Sequence, residues 1–288
     1  MPVASAAMTT LYPARRGSRP VTAEDLWTLP RLGAPAAFPD GSALLLPVTR
    51  WDLEKNEART QFYKVPAAGG LPVALTSPDV SAAEPRISPD GKQLAFTRKD
   101  ANGKPQLMLM PLDGGEARKL TDLPNGAFDP RWLPDGSALV LASMVLKGHL
   151  TPEATAAELK RRADDPVKAH VTEDRFYRFW DTWLTTGEVP HLFRCDPTTG
   201  ALTDLTPQAT VWFDWMDPSG HYDISPDGSE IALAGTLFDD KRSLIVSRIF
   251  TVPHPGWRAH LCDRGASGGR PAPALLARRP APALRHDA

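Results

Sequence analysis

Arg86-Ile87-Ser88-Pro89-Asp90-Gly91-Lys92-Gln93-Leu94-Ala95-Phe96 encodes a strand, a tight turn and a second strand. Pro89 pre-sets φ for the second position of a type I turn, Asp90 can bond its own backbone, and Gly91 supplies the left-handed residue that follows. The apolar residues on either side then pair as an antiparallel hairpin. The pattern recurs as Ala37-Phe38-Pro39-Asp40-Gly41-Ser42-Ala43-Leu44-Leu45-Leu46, as Arg131-Trp132-Leu133-Pro134-Asp135-Gly136-Ser137-Ala138-Leu139-Val140-Leu141, and as Asp223-Ile224-Ser225-Pro226-Asp227-Gly228-Ser229-Glu230-Ile231-Ala232-Leu233. Asp40, Asp90, Asp135 and Asp227 follow one another at intervals of 50, 45 and 92 residues. A period of about 40–50 residues is that of a propeller blade. The last interval is about double the others, so one blade is expected to have lost the motif or to be interrupted.

A second, offset repeat closes each unit. Phe62-Tyr63-Lys64-Val65-Pro66 leads to Gly69-Gly70 and Leu75-Thr76, and Leu107-Met108-Leu109-Met110-Pro111 leads to Gly114-Gly115 and Leu120-Thr121. His191-Leu192-Phe193-Arg194-Cys195 leads likewise to Gly200 and Leu205-Thr206. Two hairpins per period make a four-stranded blade. A single blade cannot bury both faces, so neighbours must stack. The expected fold is all-β, an incomplete β-propeller of about four to five four-stranded blades over residues 21–253 with one helical insertion. A flexible segment is expected over residues 1–20.

The insertion is placed at residues 151–185. Thr151-Pro152-Glu153 has an N-cap residue followed by proline at the first helical position. Good helix formers continue to Ala163, Asp164-Asp165-Pro166 ends the run, and Glu173-Asp174-Arg175-Phe176-Tyr177-Arg178-Phe179-Trp180-Asp181-Thr182-Trp183 is dense in rings and charge. The chain is expected to rejoin the sheet near His191.

Residues 244–253 read as a strand opening another closing hairpin, but the Gly-Gly and Leu-Thr that should follow do not. From His254 to Ala288 there is no Lys, Glu, Ile, Val, Thr, Tyr or Phe. That tail is expected to be disordered and of low complexity, and the abrupt switch suggests a shift of reading frame near residue 253.

Bulk properties narrow the function. A net charge of -1 gives no electrostatic footprint for nucleic acid or an anionic membrane. The 30 prolines suit strands joined by tight corners rather than a helical bundle. Cys195 and Cys262 have no ligand or disulfide-framework spacing, so no metal or cofactor is expected and a reducing, cytoplasmic location follows. No apolar run is long enough for a signal peptide or a membrane span.

The Ser-Pro-Asp-Gly repeat resembles the TolB-type propeller repeat. Thr22-Ala23-Glu24-Asp25-Leu26-Trp27, Thr49-Arg50-Trp51-Asp52 and the stretch from Glu173 to Trp183 resemble the propeller of acylaminoacyl and dipeptidyl peptidases of the prolyl oligopeptidase superfamily. The resemblance covers roughly residues 20–253. It implies a propeller that filters substrates above a Ser-Asp-His α/β-hydrolase domain. No residue of this chain matches that triad.

Gly265-Ala266-Ser267-Gly268-Gly269 satisfies G-x-S-x-G. The pattern requires a strand before the serine and a helix after it, and Arg270-Pro271-Ala272-Pro273 forbids the helix. The four repeated aspartates lie a blade apart and read as turn formers rather than metal ligands. Lys160-Arg161-Arg162, balanced by Glu158 and Asp164-Asp165, reads as a solvated helix face. Trp180, Trp183, Trp212 and Trp215 either pack between blades or line a peptide surface. Glu173 and Asp174 are the polar candidates for gripping a peptide amine, with Trp180 and Trp183 beside them. The dipeptidyl peptidases' use of acidic residues on a propeller insertion is what points to these two.

Two functions follow: the substrate-gating propeller of a prolyl oligopeptidase-type serine peptidase, without its catalytic domain, or a self-standing TolB-like propeller that binds proteins or peptides. The expected partners are a peptide substrate or a hydrolase domain supplied elsewhere, with neither nucleic acid nor membrane. An open array of blades leaves sheet edges unpaired, so self-association through them is also expected.

Overall fold

The computed structural model describes residues 20–169, 171–173, 177–207, 209, 212–213, 217–238 and 245–253. The N-terminal segment before Pro20, Asp174, Trp215 and the tail with Ser267 lie outside the described residues. The chain forms two compact units, one of Met1–Trp132, Gly136–Leu141 and Cys195–Ala201, the other of Leu133–Asp135, Ala142–Arg194 and Leu202–Ala288.

A short helix, α1 (Ala23–Thr28), precedes the first sheet. It adds to the single helical insertion expected from the sequence. Its start is fixed by the Asp25 carboxylate, which accepts the Thr22 N–H at 2.9 Å, the reach-back half of a capping box. The first sheet contains β1 (Arg31–Leu32), β2 (Ala36–Ala37), β3 (Ala43–Asp52), β4 (Glu57–Pro66) and β5 (Val73–Ala74). Its order is β1-β3-β4-β5, with β2 also pairing to β3. The second runs β6 (Ala83–Ile87), β7 (Gln93–Lys99), β8 (Pro105–Pro111) and β9 (Arg118–Lys119) in sequence order.

The third sheet begins with β10 (Phe128–Trp132) and β11 (Leu139–Leu146). There the chain leaves it to form α2 (Pro152–Asp164) and a hairpin of β12 (Arg178–Phe179) and β13 (Thr182–Trp183). It returns as β14 (Glu188–Cys195) and β15 (Leu202–Asp204), giving the order β10-β11-β14-β15. The doubled interval between Asp135 and Asp227 is therefore one blade interrupted between its second and third strands. The last sheet holds β16 (Trp212–Phe213), β17 (Tyr222–Ile224), β18 (Glu230–Phe238) and β19 (Ile245–Pro253). Both β16 and β17 pair with β18, and β19 pairs with β18 over nine residues.

The repeated turns form as their chemistry dictates. The N–H of Gly41, Gly91 and Gly228 donates to the carbonyl three residues back, on Phe38, Ser88 and Ser225, at 2.9 Å in each case. Asp40, Asp90 and Asp227 each accept the backbone N–H two residues on, at 2.9, 3.1 and 3.0 Å. The turn glycines have φ of +70° to +72°, where an L side chain is strained. A Cβ on Gly91 would lie 3.6 Å from Pro39, and one on Gly136 3.7 Å from Pro89, so in the first unit each turn packs on the proline of the turn before.

The Leu-Thr pairs close the first three blades. Leu75, Leu120 and Leu205 donate their N–H to the carbonyls of Phe62, Leu107 and Leu192 at 2.7–2.8 Å. Thr76, Thr121 and Thr206 then accept the N–H of those same three residues through Oγ1, at 2.9, 2.9 and 3.0 Å. A hydroxyl thus replaces the next rung of the ladder where the fourth strand ends. Between the first two blades, Phe38, Leu45 and Phe62 pack on Leu94, Phe96, Met108 and Met110. Phe62 and Phe96 meet edge-to-face at 5.8 Å, a favoured aromatic geometry.

Candidate functional site

The first strands of the second and third sheets carry an echo unused in the sequence reading: Glu84-Pro85-Arg86 and Asp129-Pro130-Arg131. Each acidic residue is left-handed, with φ of +52° at Glu84 and +45° at Asp129. Such strain persists only where surrounding bonds hold it. The Glu84 carboxylate accepts the Asp129 N–H at 2.9 Å and the Thr97 hydroxyl at 3.0 Å. Asp129 is almost fully buried and is flanked by Arg86 at 2.7 Å and Arg131 at 2.9 Å. The two guanidiniums stay partly exposed while they neutralise this buried carboxylate.

His191 makes the one pair of catalytic appearance among the described residues. Its Nδ1 lies 2.7 Å from the Asp204 carboxylate, as in a hydrolytic triad. Its Nε2, where a nucleophile would stand, lies 3.0 Å from the Ala209 carbonyl instead, and the ring is fully buried. The position explains this. His191 precedes Leu192 as Gln61 precedes Phe62 and Gln106 precedes Leu107, and those amides donate to the Thr76 and Leu123 carbonyls. His191 is thus the third blade's version of a side chain that ties the third strand to the following loop.

The insertion presents the residues singled out from the sequence. Thr151 caps α2 by accepting the Ala154 N–H at 3.1 Å, and Thr155, buried, accepts the Leu146 N–H and donates to the His149 carbonyl. This seats the helix on the end of β11. Glu158 is chelated by Arg161 and Arg162 at 2.8 and 2.7 Å, and these bonds, Arg161 foremost, hold its carboxyl down to about 2. Arg162 also donates to the Thr186 carbonyl, fastening α2 to the segment after the hairpin.

Trp183 lies 5.7 Å from the Tyr177 ring and under the Arg178 guanidinium at 5.7 Å. Trp180, at the hairpin turn, is 84% exposed with φ of +51°. Glu173 is exposed. The structure thus gathers Trp183, Tyr177 and Arg178 and holds Trp180 out in solvent. Trp212 is half-buried on β16. In the first unit a surface groove of about 520 Å³ is lined by Glu57, Arg59, Asp79, Thr97, Arg98 and Lys99 among others.

No family model matches the chain. It is 29% identical over 220 residues to dipeptidyl-peptidase 5 of Porphyromonas endodontalis, covering 74% of this chain and 30% of that protein. The uncharacterized peptidase YuxL of Bacillus subtilis is 28% identical over 217 residues, 75% of this chain and 31% of its own length. The chain is similar to peptidases. It spans about a third of the length of the curated relatives it matches. Among solved structures, the acylaminoacyl peptidase of Pyrococcus horikoshii superposes with a TM-score of 0.56 at 16% identity, over 80% of this chain and 32% of that one. That likeness bears on the fold, and it agrees with successive four-stranded antiparallel sheets of a β-propeller type.

Proposed function

We propose that this chain is the substrate-filtering propeller portion of a prolyl oligopeptidase-type serine peptidase, and that it does not cleave peptides by itself. The observation that carries the proposal is its likeness to dipeptidyl-peptidase 5 across about three-quarters of its length, in a chain that folds into successive antiparallel sheets. The occupied Nε2 of His191 supports the second half, because a general base needs that nitrogen for the nucleophile's proton.

The surfaces offered to a peptide in this reading are the hairpin bearing Trp180 and Trp183, with Glu173 and Asp174 before it. The chemistry itself falls to an α/β-hydrolase domain. A cytoplasmic location belongs to the same proposal, supported by Cys195 as a buried free thiol.

The test is incubation of the purified chain with fluorogenic dipeptidyl and acyl-amino-acid amides and with a fluorophosphonate that labels activated serines. Neither turnover nor labelling is expected. Turnover that disappears in Ser267→Ala would overturn the proposal and make the chain a hydrolase in its own right.

A further inference from the structure

Arg50 and Arg59 stand directly opposite each other on β3 and β4. Side chains so placed share one face of the sheet, and like charges in that relation repel. Gln61 and Tyr63 follow Arg59 on the same face by the alternation of the strand. Arg50 Nη1 donates to the Tyr63 hydroxyl at 3.2 Å, with the guanidinium 5.5 Å from the centre of the Tyr63 ring. Tyr63 donates in turn to Gln61 Oε1 at 2.6 Å, and the buried Gln61 amide donates to the Thr76 carbonyl. Arg50 is thus held by a chain of bonds that ends on the backbone of its own blade.

Both arginines line one cavity of about 140 Å³, together with Trp51, Asp52, Gln61 and Pro78. A cavity of about 150 Å³ admits a benzene-sized group, so this one has room for a carboxyl group and its stem. Its acceptors are already committed. Asp52 takes the Glu54 and Lys55 N–H groups at 3.1 Å and lies 3.7 Å from Lys55 Nζ, while Gln61 Oε1 is taken by Tyr63. Glu57 reaches Arg59 Nη2 at 3.0 Å from an exposed position, where such a pair is worth little. Trp51 has a buried indole N–H with no acceptor among the described residues. Arg59 also lines the neighbouring groove of about 520 Å³.

We propose that this cavity is a carboxylate-binding subsite, which takes the acidic side chain or the terminal carboxylate of a peptide lying in the adjoining groove. The proposal rests on the reading of the chain as a peptide-handling propeller and adds a chemical preference to it. The two carboxylate oxygens accept from Arg50 and Arg59, and a charge-assisted contact of this kind converts the repulsion between the guanidiniums into a shared attraction.

The experiment titrates the full chain by calorimetry with three tetrapeptides of free amino terminus. Ala-Ala-Glu-Ala amide carries its carboxylate on a side chain, Ala-Ala-Gln-Ala acid carries it at the terminus, and Ala-Ala-Gln-Ala amide has none. At least one of the first two should bind about ten-fold or more tighter than the third, the least that a hydrogen bond to a charged group is worth. The tighter of the two identifies the source of the carboxylate. In Arg59→Gln that advantage should disappear while the urea midpoint holds or rises, because a repelling charge has gone. Arg50→Gln should also remove it; if that variant unfolds, Arg59→Gln decides. Equal binding of all three peptides would overturn the subsite and leave the peptide-binding reading standing. An advantage that survives Arg59→Gln would overturn it as well. No saturation by any peptide below about 1 mM, the weakest affinity counted as binding, would overturn both readings.

Discussion

Thr121→Val in the protein is the sharpest probe of how blades are closed. Thr121 is 3% exposed, accepts the Leu107 N–H at 2.9 Å and donates to Gln106 Oε1 at 2.9 Å. Valine has the same shape but no acceptor, so the Leu107 N–H, on a fully buried residue, is left without a partner. An orphaned buried N–H costs about 1–3 kcal/mol. Gln106 keeps its bonds to the Leu123 N–H and carbonyl, at 3.0 and 2.9 Å, so its collapse should not add to the loss. The expected destabilisation is therefore about 2 kcal/mol. Thr121→Ser keeps the hydroxyl and loses one methyl, about 0.8 kcal/mol. Urea unfolding of the two variants, with unchanged slope, measures the difference, and amide exchange at Leu107 locates it. A Thr121→Val protein within about 0.5 kcal/mol of the parent, the ordinary scatter of surface substitutions, and with Leu107 still protected, would refute the role given to the threonine.

Other perturbations probe separate parts of the molecule. Gly200 has φ of +75°, and a Cβ there would stand 2.5 Å from the Leu120 carbonyl oxygen, whereas Gly103 has the same φ and nothing within 4 Å. Gly200→Ala should therefore lower the urea midpoint clearly more than Gly103→Ala, whose cost is confined to about 1 kcal/mol of backbone strain. The Asp227 carboxyl is held down to about 2, first by the Ser225 hydroxyl and then by the Ser229 N–H and hydroxyl. Its folded value lies below its unfolded one, so its stabilisation is present above the ordinary carboxylate range and is lost as pH falls towards about 2. Asp227→Asn should flatten that acid limb when denaturation midpoints are followed against pH. Thr155→Val should release α2 from β11 by orphaning the Leu146 N–H, seen as faster proteolysis within the insertion while β-sheet signals persist.

The Pro-Asp-Gly turns were legible because all their chemistry is local: the proline, the carboxylate bond and the left-handed glycine lie within four residues. The start of α2 was legible for the same reason, through Thr151 and Pro152. The Leu-Thr pairs were visible as a repeat, but their meaning needed the structure, since Thr121 and Leu107 meet only once the third and fourth strands pair. The Glu84–Asp129 network was hidden more deeply. Its signal, an acidic residue before Pro-Arg, is short, and Arg86 finds Asp129 only through the stacking of one blade on the next. The role of His191 was masked because unlike side chains, two glutamines and a histidine, serve one structural position. At the insertion, the sequence marked the aromatic residues but not that Trp180 would sit left-handed and exposed at a turn while Trp183 packs with Tyr177.

The proposed function turns on binding without cleavage. The most direct measurement titrates the chain, and its Glu173→Ala and Trp180→Ala variants, with a fluorescent tetrapeptide bearing a free amino terminus, and then recovers the peptide for mass analysis. Saturable binding that weakens in both variants, with the peptide returned intact, is the predicted result. A cleaved peptide, or binding that neither substitution alters, would contradict it.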